Sequence, residues 1–171
     1  MNYIDHNNLI TIREARPDDA KAIAAIYNVY VCGTTISFET EPVSDEEMRR
    51  RITELTGQYP YFVAETADGN IAGYCYAHEW KTRPAYRHTW ETTVYVDERQ
   101  KHGHIGKLLM EKLIETCKGR QCHALIACIT SENEASRRFH ERLGFTLVSE
   151  FKEVGFKFGR WLGVADYELI L

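Results

Sequence analysis

The sequence predicts a mixed α/β fold, in which a mostly antiparallel, twisted sheet of about seven strands is flanked by about four helices. In the first half, short runs of β-branched and aromatic residues are joined by Asp68-Gly69, a typical hairpin turn signal. In the second half, such runs alternate with segments of helical periodicity, which indicates crossover connections. With 171 residues, 44% of them apolar, the chain can bury one core, and we treat residues 1–171 as a single domain.

The first half is expected to hold two helices and three strands. Residues 9–13 alternate in polarity and predict the first strand. A helix begins near Pro17, because proline and acidic residues are favourable in a first turn, and it ends at Gly33. Residues 44–47 form a capping box that starts the second helix. The other strands of this half are expected at residues 61–65 and 71–78.

The second half begins with a strand at 92–96 and a helix whose apolar residues share one face. A strand at 123–129 follows, and then a short helix that begins at Asn133 and is capped by Gly144. The last strands are expected at 145–151 and 164–171, with a tract rich in glycine and aromatic residues, 155–161, between them. The predicted element order is β-α-α-β-β-β-α-β-α-β-β.

Residues 91–115 combine a strand, a basic loop and a helix start, in that order. The first N–H groups of a helix lack partners within the helix, and the helix dipole places partial positive charge there. A strand that runs through a basic, glycine-containing turn into a helix therefore predicts a site for a phosphorylated ligand. The basic or hydrogen-bonding side chains of this turn are Lys101, His102, His104 and Lys107.

Composition and charge exclude several other functions. The net charge of −4 does not favour nucleic acid. No apolar run reaches the about 18 residues of a membrane helix, and residues 1–8 lack the regions of a signal peptide. The seven histidines are scattered without an HExxH motif, so we expect no metal site. The five cysteines form no CxxC pair and are expected to be reduced core thiols in the cytoplasm; they are Cys32, Cys75, Cys117, Cys122 and Cys128.

Several separated tracts, taken in order, carry a family resemblance. One is 133–145, with the pattern Asn-x-x-Ser-x-x-Phe-His-x-x-Leu-Gly-Phe. The others are FETEP at 38–42, YP at 59–60 with VAE at 63–65, WKTR at 80–83, ETTVYV at 91–96 and GFKFGRW at 155–161. The chain resembles the GNAT superfamily of N-acetyltransferases, and more closely its phosphinothricin and methionine sulfoximine N-acetyltransferases. The resemblance implies a GNAT-like fold and acetyl-CoA as the cosubstrate.

The resemblance also assigns cosubstrate-binding residues. The family's pyrophosphate loop follows the pattern Gln/Arg-x-x-Gly-x-Gly/Ala. The three specified positions of this pattern fall on Lys101, His104 and Gly106. His104 thus stands where a glycine with positive φ is expected, a conformation that histidine adopts less readily. The residues assigned to acetyl-CoA are Val94, Tyr95, Val96, Lys101, His102, Gly103, His104, Ile105, Gly106, Lys107, Asn133 and Ser136.

Acetyl transfer to an amine needs a group that takes the ammonium proton and, ideally, an acid for the leaving thiolate. The resemblance implies that Glu91 is the base, although a solvent-facing Glu at a strand end has the same pattern. His140 stands where many relatives carry a tyrosine thought to protonate the CoA sulfur; alternatively, it only packs beside Phe139. Asn133 is expected to bind CoA, to cap its helix, or both.

The matched subfamily binds its amino-acid substrate at the positions of Lys81 and Arg83. A guanidinium presents a bidentate fork to a carboxylate, whereas the alternative reading is a solvated basic loop. The residues assigned to the acceptor are Phe38, Lys81, Thr82, Arg83, Tyr86, Glu91, Thr92 and Thr93.

We therefore predict a cytoplasmic enzyme that acetylates the α-amino group of a small amino acid or analogue, such as methionine sulfoximine, methionine sulfone or phosphinothricin. Relatives are commonly homodimers, so we expect a homodimer. A polyamine, an aminoglycoside or a protein N-terminus remains open as the acceptor. A polyamine site should be lined with acids, whereas the loop at 79–91 is more basic than acidic. A non-catalytic CoA-binding module is a further alternative, supported by His104 in a glycine position.

Overall fold

The structure, a computed structural model, describes residues 2–5, 8–100 and 104–171. Its α-helices are α1 (Ala20–Gly33), α2 (Asp45–Thr56), α3 (Ile105–Lys118) and α4 (Glu134–Arg142). Its strands are β1 (Asn2–Asp5), β2 (Asn8–Glu14), β3 (Tyr61–Thr66), β4 (Ile71–Glu79), β5 (Thr89–Val96), β6 (Ala124–Thr130), β7 (Thr146–Lys157) and β8 (Arg160–Ile170). Short 3₁₀ turns lie at Pro17–Asp19, Pro84–Tyr86 and Glu98–Gln100.

All eight described strands form one sheet in the order β1-β2-β3-β4-β5-β6-β8-β7. Every pair of neighbouring strands is antiparallel except β5 and β6, which run parallel because α3 crosses over between them. The predicted fold class is confirmed. The sheet has one strand more than expected, because residues 2–5 pair through their backbone with β2 although their sequence shows no apolar alternation.

Helices cover both faces of the sheet. On one face, Leu109 and Leu113 of α3 are fully buried against β2, β3, β4 and β6, and Phe139 of α4 packs onto the same cluster. On the other face, Ile23 of α1 and Ile52 of α2 are fully buried against β3 and β4. Burying each of these side chains contributes about 1.5–3 kcal/mol, so the helices fix the sheet in place from both sides.

The tract at 155–161, expected between the last two strands, belongs to those strands and to the turn that joins them. Its residues continue β7 and β8 to a tight hairpin turn at Phe158 and Gly159. Both turn residues have positive φ, 51° and 74°, which matches the right-handed twist of the two strands. The dipeptide Phe-Gly is not a usual signal for such a turn, which is why the sequence did not reveal the long hairpin.

The cysteine prediction is correct in part. Cys75, Cys117 and Cys122 are buried free thiols, as expected, but Cys32 and Cys128 are exposed. Cys128 occupies a strand position whose side chain points away from α3, toward a part of the sheet that no helix covers. Within the described ranges, no helix is both long and apolar enough to span a bilayer.

Candidate active site

The site begins where β5 and β6 separate. The two strands pair only at Thr89↔Ala124, Trp90↔Leu125 and Glu91↔Ile126. At the branch point the Thr92 hydroxyl donates to the Ile126 carbonyl over 3.3 Å. Beyond it the strands diverge, so the backbone groups of β5 that face β6 have no ladder partner there. The result is a wedge-shaped opening in the middle of the sheet.

A first cleft of about 1050 Å³ runs from this opening to the start of α3. Its floor is β5, and its far wall is α4. Its lining residues are Tyr30, Ile36, Val94, Tyr95, Val96, His104, Ile105, Gly106, Lys107, Asn133, Ala135, Ser136, Phe139, Arg142 and Leu143. Nine of the residues that the sequence assigned to acetyl-CoA therefore line one cavity. Lys101, His102 and Gly103 lie outside the described residues.

The start of α3 forms one end of this first cleft. His104 is the N-cap residue, with φ 54° and ψ 9°, so it adopts the left-handed conformation that the glycine position demanded. The first turn of α3, whose N–H groups lack partners within the helix, lines this end of the cleft. Gly106 faces Val96 and Phe139, and a Cβ added there would lie 3.5 and 3.6 Å from their side chains. The helix start retains the geometry of an anion site despite the histidine.

A second cleft of about 540 Å³ continues on the other side of the opening. It shares Ile36, Val94, Tyr95, Asn133 and Ser136 with the first cleft, so the two are connected. Its remaining lining residues are Tyr27, Ser37, Phe38, Glu39, Tyr76, His78, Glu91, Thr92, Thr93, Ala127, Cys128, Ile129, Thr130, His140 and Val164. Both predicted catalytic residues, Glu91 and His140, border this second cleft.

Glu91 is partly buried at the branch point. Burial raises the pKa of its carboxyl above the ordinary range, and the nearby charge of Asp166 acts in the same direction. His78, the cross-strand partner of Glu91, opposes this shift, with its Nε2 3.8 Å from the carboxylate. The Cys128 thiol donates a hydrogen bond to Glu91 and opposes it as well. A carboxylate with a raised pKa holds a proton more readily than one in water, which suits a general base.

His140 is buried at the end of α4, with only 4% of its surface exposed. Its Nδ1 lies 2.9 Å from the Ser136 carbonyl, and because a carbonyl only accepts, Nδ1 carries the proton. Burial lowers the pKa of His140, so the ring is neutral at neutral pH and Nε2 is its acceptor atom. The ring also makes edge contacts with Phe139 and Phe145, so the packing role foreseen for it is present.

Asn133 caps α4, as one of its two predicted roles required. Its side-chain carbonyl accepts from the Ser136 N–H at 3.2 Å. Because the cap uses the oxygen, the amide nitrogen and its two donors are the part of Asn133 that can meet a ligand. Asn133 and Ser136 border both clefts, at the junction between them.

The predicted acceptor residues fall into two groups. Phe38, Thr92 and Thr93 line the second cleft together with Glu91. Lys81, Thr82, Arg83 and Tyr86 do not line it; they belong to the loop that joins β4 to β5. There Lys81 lies over the Trp80 ring at 3.9 Å, and Trp80 packs edge-on against Tyr86. In this arrangement no arginine or lysine of the described chain reaches the second cleft.

Sequence reasoning missed one side of the second cleft. Tyr76 and His78 on β4 face it, and the register pairs them with Thr93 and Glu91 on β5. Their alternate spacing indicated a shared strand face, but only the pairing register reveals which residues stand beside Glu91. Tyr27 was also missed; its hydroxyl bonds Ser37 at 2.7 Å and Glu39 at 3.1 Å, and burial raises its pKa to about 12.

Comparison with known proteins identifies the class to which this fold and these clefts belong. The model of the acetyltransferase (GNAT) domain matches residues 12–164. The chain therefore belongs to the GNAT acetyltransferase family, and the predicted enzyme class is confirmed. Among the residues that the structure describes, no group of His, Cys, Asp and Glu side chains is arranged to hold a metal ion.

Relatives narrow the comparison. The chain is 43% identical over 154 residues to phosphinothricin N-acetyltransferase from Alcaligenes faecalis, covering 89% of this chain and 78% of the relative. It is 36% identical over 162 residues to L-methionine sulfoximine/L-methionine sulfone acetyltransferase from Pseudomonas aeruginosa, covering 94% of both. A phosphinothricin acetyltransferase from Sinorhizobium meliloti, solved in complex with AcCoA, superimposes with a TM-score of 0.91 at 35% identity, covering 95% of this chain and 88% of that one.

The left-handed conformation of His104 predicts how substitutions there act. A side chain in this region costs about 1–3 kcal/mol, more when it is β-branched, whereas glycine adopts it freely. His104→Val should therefore weaken acetyl-CoA binding by about tenfold or more, and His104→Gly should preserve it. Calorimetric titration with acetyl-CoA measures both. Equal affinity of His104→Val and His104→Gly would show that binding does not depend on this backbone conformation.

Proposed function

We propose that this enzyme transfers the acetyl group of acetyl-CoA to the α-amino group of a small amino acid or analogue, of the class of methionine sulfoximine, methionine sulfone and phosphinothricin. The observation that carries the proposal is the junction of the two clefts, where Glu91 stands at the point at which β5 and β6 part. One cleft has the size and the helix start that a phosphorylated cosubstrate needs. The other is small and holds a partly buried carboxylate.

Acetyl-CoA suits the first cleft for three reasons. The first turn of α3 offers N–H donors and partial positive charge to the pyrophosphate. The edge of β5 that faces the opening offers backbone groups to the amides of pantetheine, as a neighbouring strand would. Asn133 adds its amide donors at the junction. When bound, the thioester supplies an activated acyl carbon at the boundary of the two clefts.

The second cleft suits an amine. An α-ammonium group must lose a proton before its nitrogen can attack the thioester carbon, form the amide bond and break the C–S bond. Glu91 attracts the cation and takes its proton, directly or through water, and its raised pKa makes this transfer less uphill. His78, 3.8 Å from Glu91, lies where it can receive or share that proton.

The leaving thiolate needs a proton in turn, and His140 is the predicted source. As a neutral ring whose Nδ1 proton is bonded to the Ser136 carbonyl, it has no spare proton on Nε2. We infer that His140 relays a proton. Its Nε2 first accepts the proton and then donates it to the sulfur of CoA. The supporting observations are its place on the wall of the second cleft and its fixed tautomer.

The carboxylate of the acceptor needs a cationic partner. Lys81 and Arg83 stay the proposed partners, because their loop leads directly into β5 and Glu91. In the present conformation they lie outside the second cleft, so the proposal requires the loop at 80–88 to approach the cleft mouth when the acceptor binds. Arg83 is exposed and is not engaged in any ion pair within the described structure, which leaves it available.

An acceptor without a carboxylate is the second candidate. Among the described residues, the carboxylates that line the second cleft are Glu39 and Glu91, and the basic side chains there are His78 and His140. Such a lining attracts a cation and gives a carboxylate no partner, which favours a diamine or polyamine. Arg51 offsets part of this charge, since it holds Glu39 in an ion pair at 2.6 Å from outside the cleft.

We also propose that the enzyme is a homodimer. The β7–β8 hairpin exposes a row of large apolar side chains, each between 46% and 59% exposed, and such patches mark interaction surfaces. These residues are Leu147, Val148, Phe151, Val154, Phe156, Phe158 and Trp161. A second copy of the same strand surface can cover them symmetrically.

The cytoplasm remains the predicted location. Three of the five cysteines are buried free thiols, and the exposed ones, Cys32 and Cys128, are also unpaired. Free thiols persist in a reducing compartment, which supports this location.

Substitution of Glu91 tests the base. Glu91→Gln should lower kcat by about 10²–10⁴-fold, because the amide cannot accept the ammonium proton. In the wild type the deprotonated carboxylate is the active form. The kcat should therefore fall as pH drops through a pKa above the ordinary carboxyl range, which gives the pH profile of kcat an acidic limb. This limb should be absent from the profile of the variant. Release of free CoA with methionine sulfone as acceptor provides the assay. Glu115→Gln, on the exposed face of α3, is the control; an intact acidic limb in Glu91→Gln would assign the base elsewhere.

Substitutions in the loop distinguish the two acceptor candidates. If Arg83 or Lys81 binds the acceptor carboxylate, Arg83→Ala or Lys81→Ala should raise the acceptor KM about tenfold or more and leave the acetyl-CoA KM unchanged. Arg87→Ala, an exposed arginine of the same loop, is the matched control. Unchanged KM values for methionine sulfone in both variants, together with faster turnover of diamines, would favour the polyamine reading.

Replacing apolar residues of the hairpin tests the homodimer. Phe151→Glu combined with Val154→Glu places two charges on the proposed interface and should convert a dimer into a monomer in sedimentation velocity. Lys152→Gln, between them, should leave the dimer intact. A wild-type chain that sediments as a monomer at micromolar concentration would exclude the proposal.

A further inference from the structure

One wall of the second cleft has no secondary structure of its own. Residues 34–39, here called the cleft loop, connect α1 to the segment that leads to α2, and Ile36, Ser37, Phe38 and Glu39 all line the cleft. Without a ladder of its own, the position of this loop depends on contacts from other elements. These contacts come largely from the far end of the β7–β8 hairpin.

Phe38 lies directly on Gly155 of β7. A Cβ built on Gly155 would lie 2.1 Å from Cε2 of the Phe38 ring and within 2.8 Å of two further ring atoms. No side chain fits there while the ring keeps its place. The φ of Gly155 is outside the left-handed region, so the backbone itself does not require glycine at this position. The space that Gly155 leaves empty is therefore the space that Phe38 occupies.

Lys157 fixes the preceding residue of the loop, Ser37. Its ammonium group donates to the Ser37 carbonyl at 2.6 Å, and only 4% of the lysine surface is exposed. Burial lowers the pKa of Lys157, and within the described structure it forms no ion pair, so much of its stabilisation comes from this carbonyl. Ser37 is in turn bonded to Tyr27 on the inner side of the cleft.

A third contact holds the start of the loop. Arg160, on the other strand of the hairpin, pairs with both oxygens of Glu132 at 2.7 and 2.8 Å. Glu132 accepts from the Thr35 hydroxyl at 2.5 Å, and the Thr35 carbonyl accepts from the Thr130 hydroxyl at 2.7 Å. The hairpin and the end of β6 thus hold the cleft loop at three residues, Thr35, Ser37 and Phe38.

We propose that Gly155 and Lys157 are specificity-determining positioning residues: they do not line the cleft, but they set its width by holding Phe38 and Ser37 in place. This inference rests on the proposed function, since it takes the second cleft to be the acceptor site. The acceptor that fits is the one whose side chain matches the gap between Phe38 and the Tyr76 side of the cleft. A side chain at 155 drives the Phe38 ring toward the acceptor.

Gly155→Ala tests the inference. Phe38 should shift into the cleft, and the KM for methionine sulfone should rise about tenfold or more, while the KM for acetyl-CoA changes much less. Gly57→Ala is the matched control, because nothing lies within 4 Å of a Cβ built there. A crystal structure of Gly155→Ala supplies a readout that needs no acceptor. A Phe38 ring unmoved in that structure, or an unchanged methionine sulfone KM in an active enzyme, overturns the inference.

A double-mutant cycle separates positioning from simple loss of stability. In a Phe38→Ala background the ring is absent, so Gly155→Ala should no longer affect the acceptor KM; additive effects overturn the inference. Lys157→Met should raise the acceptor KM in the same direction, whereas Lys157→Arg, which keeps a donor, should recover part of it. If the wild-type enzyme does not acetylate methionine sulfone, the proposed acceptor is wrong. The crystal structure of Gly155→Ala then still decides whether Gly155 positions Phe38.

Discussion

The end of the pairing between β5 and β6 is the constraint on which the rest of the structure depends. If these strands continued to pair beyond Glu91↔Ile126, the sheet would close and neither cleft would exist. Each strand is held instead by its other neighbour in the sheet: β5 follows β4 through a long antiparallel ladder, and β6 follows β8. α3 and α4 pack on one face of the sheet beside this gap and line the first cleft. The free edge of β5 and the start of α3 then meet at one opening.

The electrostatics of that opening follow from its position. Glu91 stands where the sheet still pairs, so it is partly withdrawn from water, yet its side chain borders the second cleft. Around it, on the same face, stands a tyrosine-rich wall in which ring centroids are 4.8 to 6.3 Å apart. Its members are Tyr27, Tyr30, Tyr61, Tyr74, Tyr76 and Tyr95. Of these six residues, Tyr27, Tyr76 and Tyr95 line the second cleft together with Glu91, where each combines an apolar ring with a hydroxyl group.

Much of the fold was predictable because periodicity and caps act locally. The Ser44 N-cap, the Asp68-Gly69 turn and the Asn133 cap all appear where the sequence indicated them, although the Glu47 carboxylate bonds Arg50 and Arg51 and no return bond to the Ser44 backbone completes a capping box. The left-handed His104 was predictable too, though only through the family pattern, and its observed conformation removes the support for a non-catalytic module. The sequence could not provide the register of the strand pairing or the distances between side chains that lie far apart in the chain. His78 beside Glu91, Lys157 on Ser37 and the distance of Arg83 from the second cleft depend on pairings far apart in the chain.

The supports of the cleft loop bear on how the acceptor specificity of such an enzyme can evolve. The cosubstrate side relies largely on backbone groups, which a point mutation leaves in place. The proposed acceptor cleft is shaped by a few side chains, and their proposed supports, Gly155 and Lys157, lie on a hairpin and line neither cleft. If Gly155 and Lys157 set the width of this cleft as proposed, a lineage can acquire a new acceptor by mutating the hairpin alone, without passing through variants that have lost their acetyl donor.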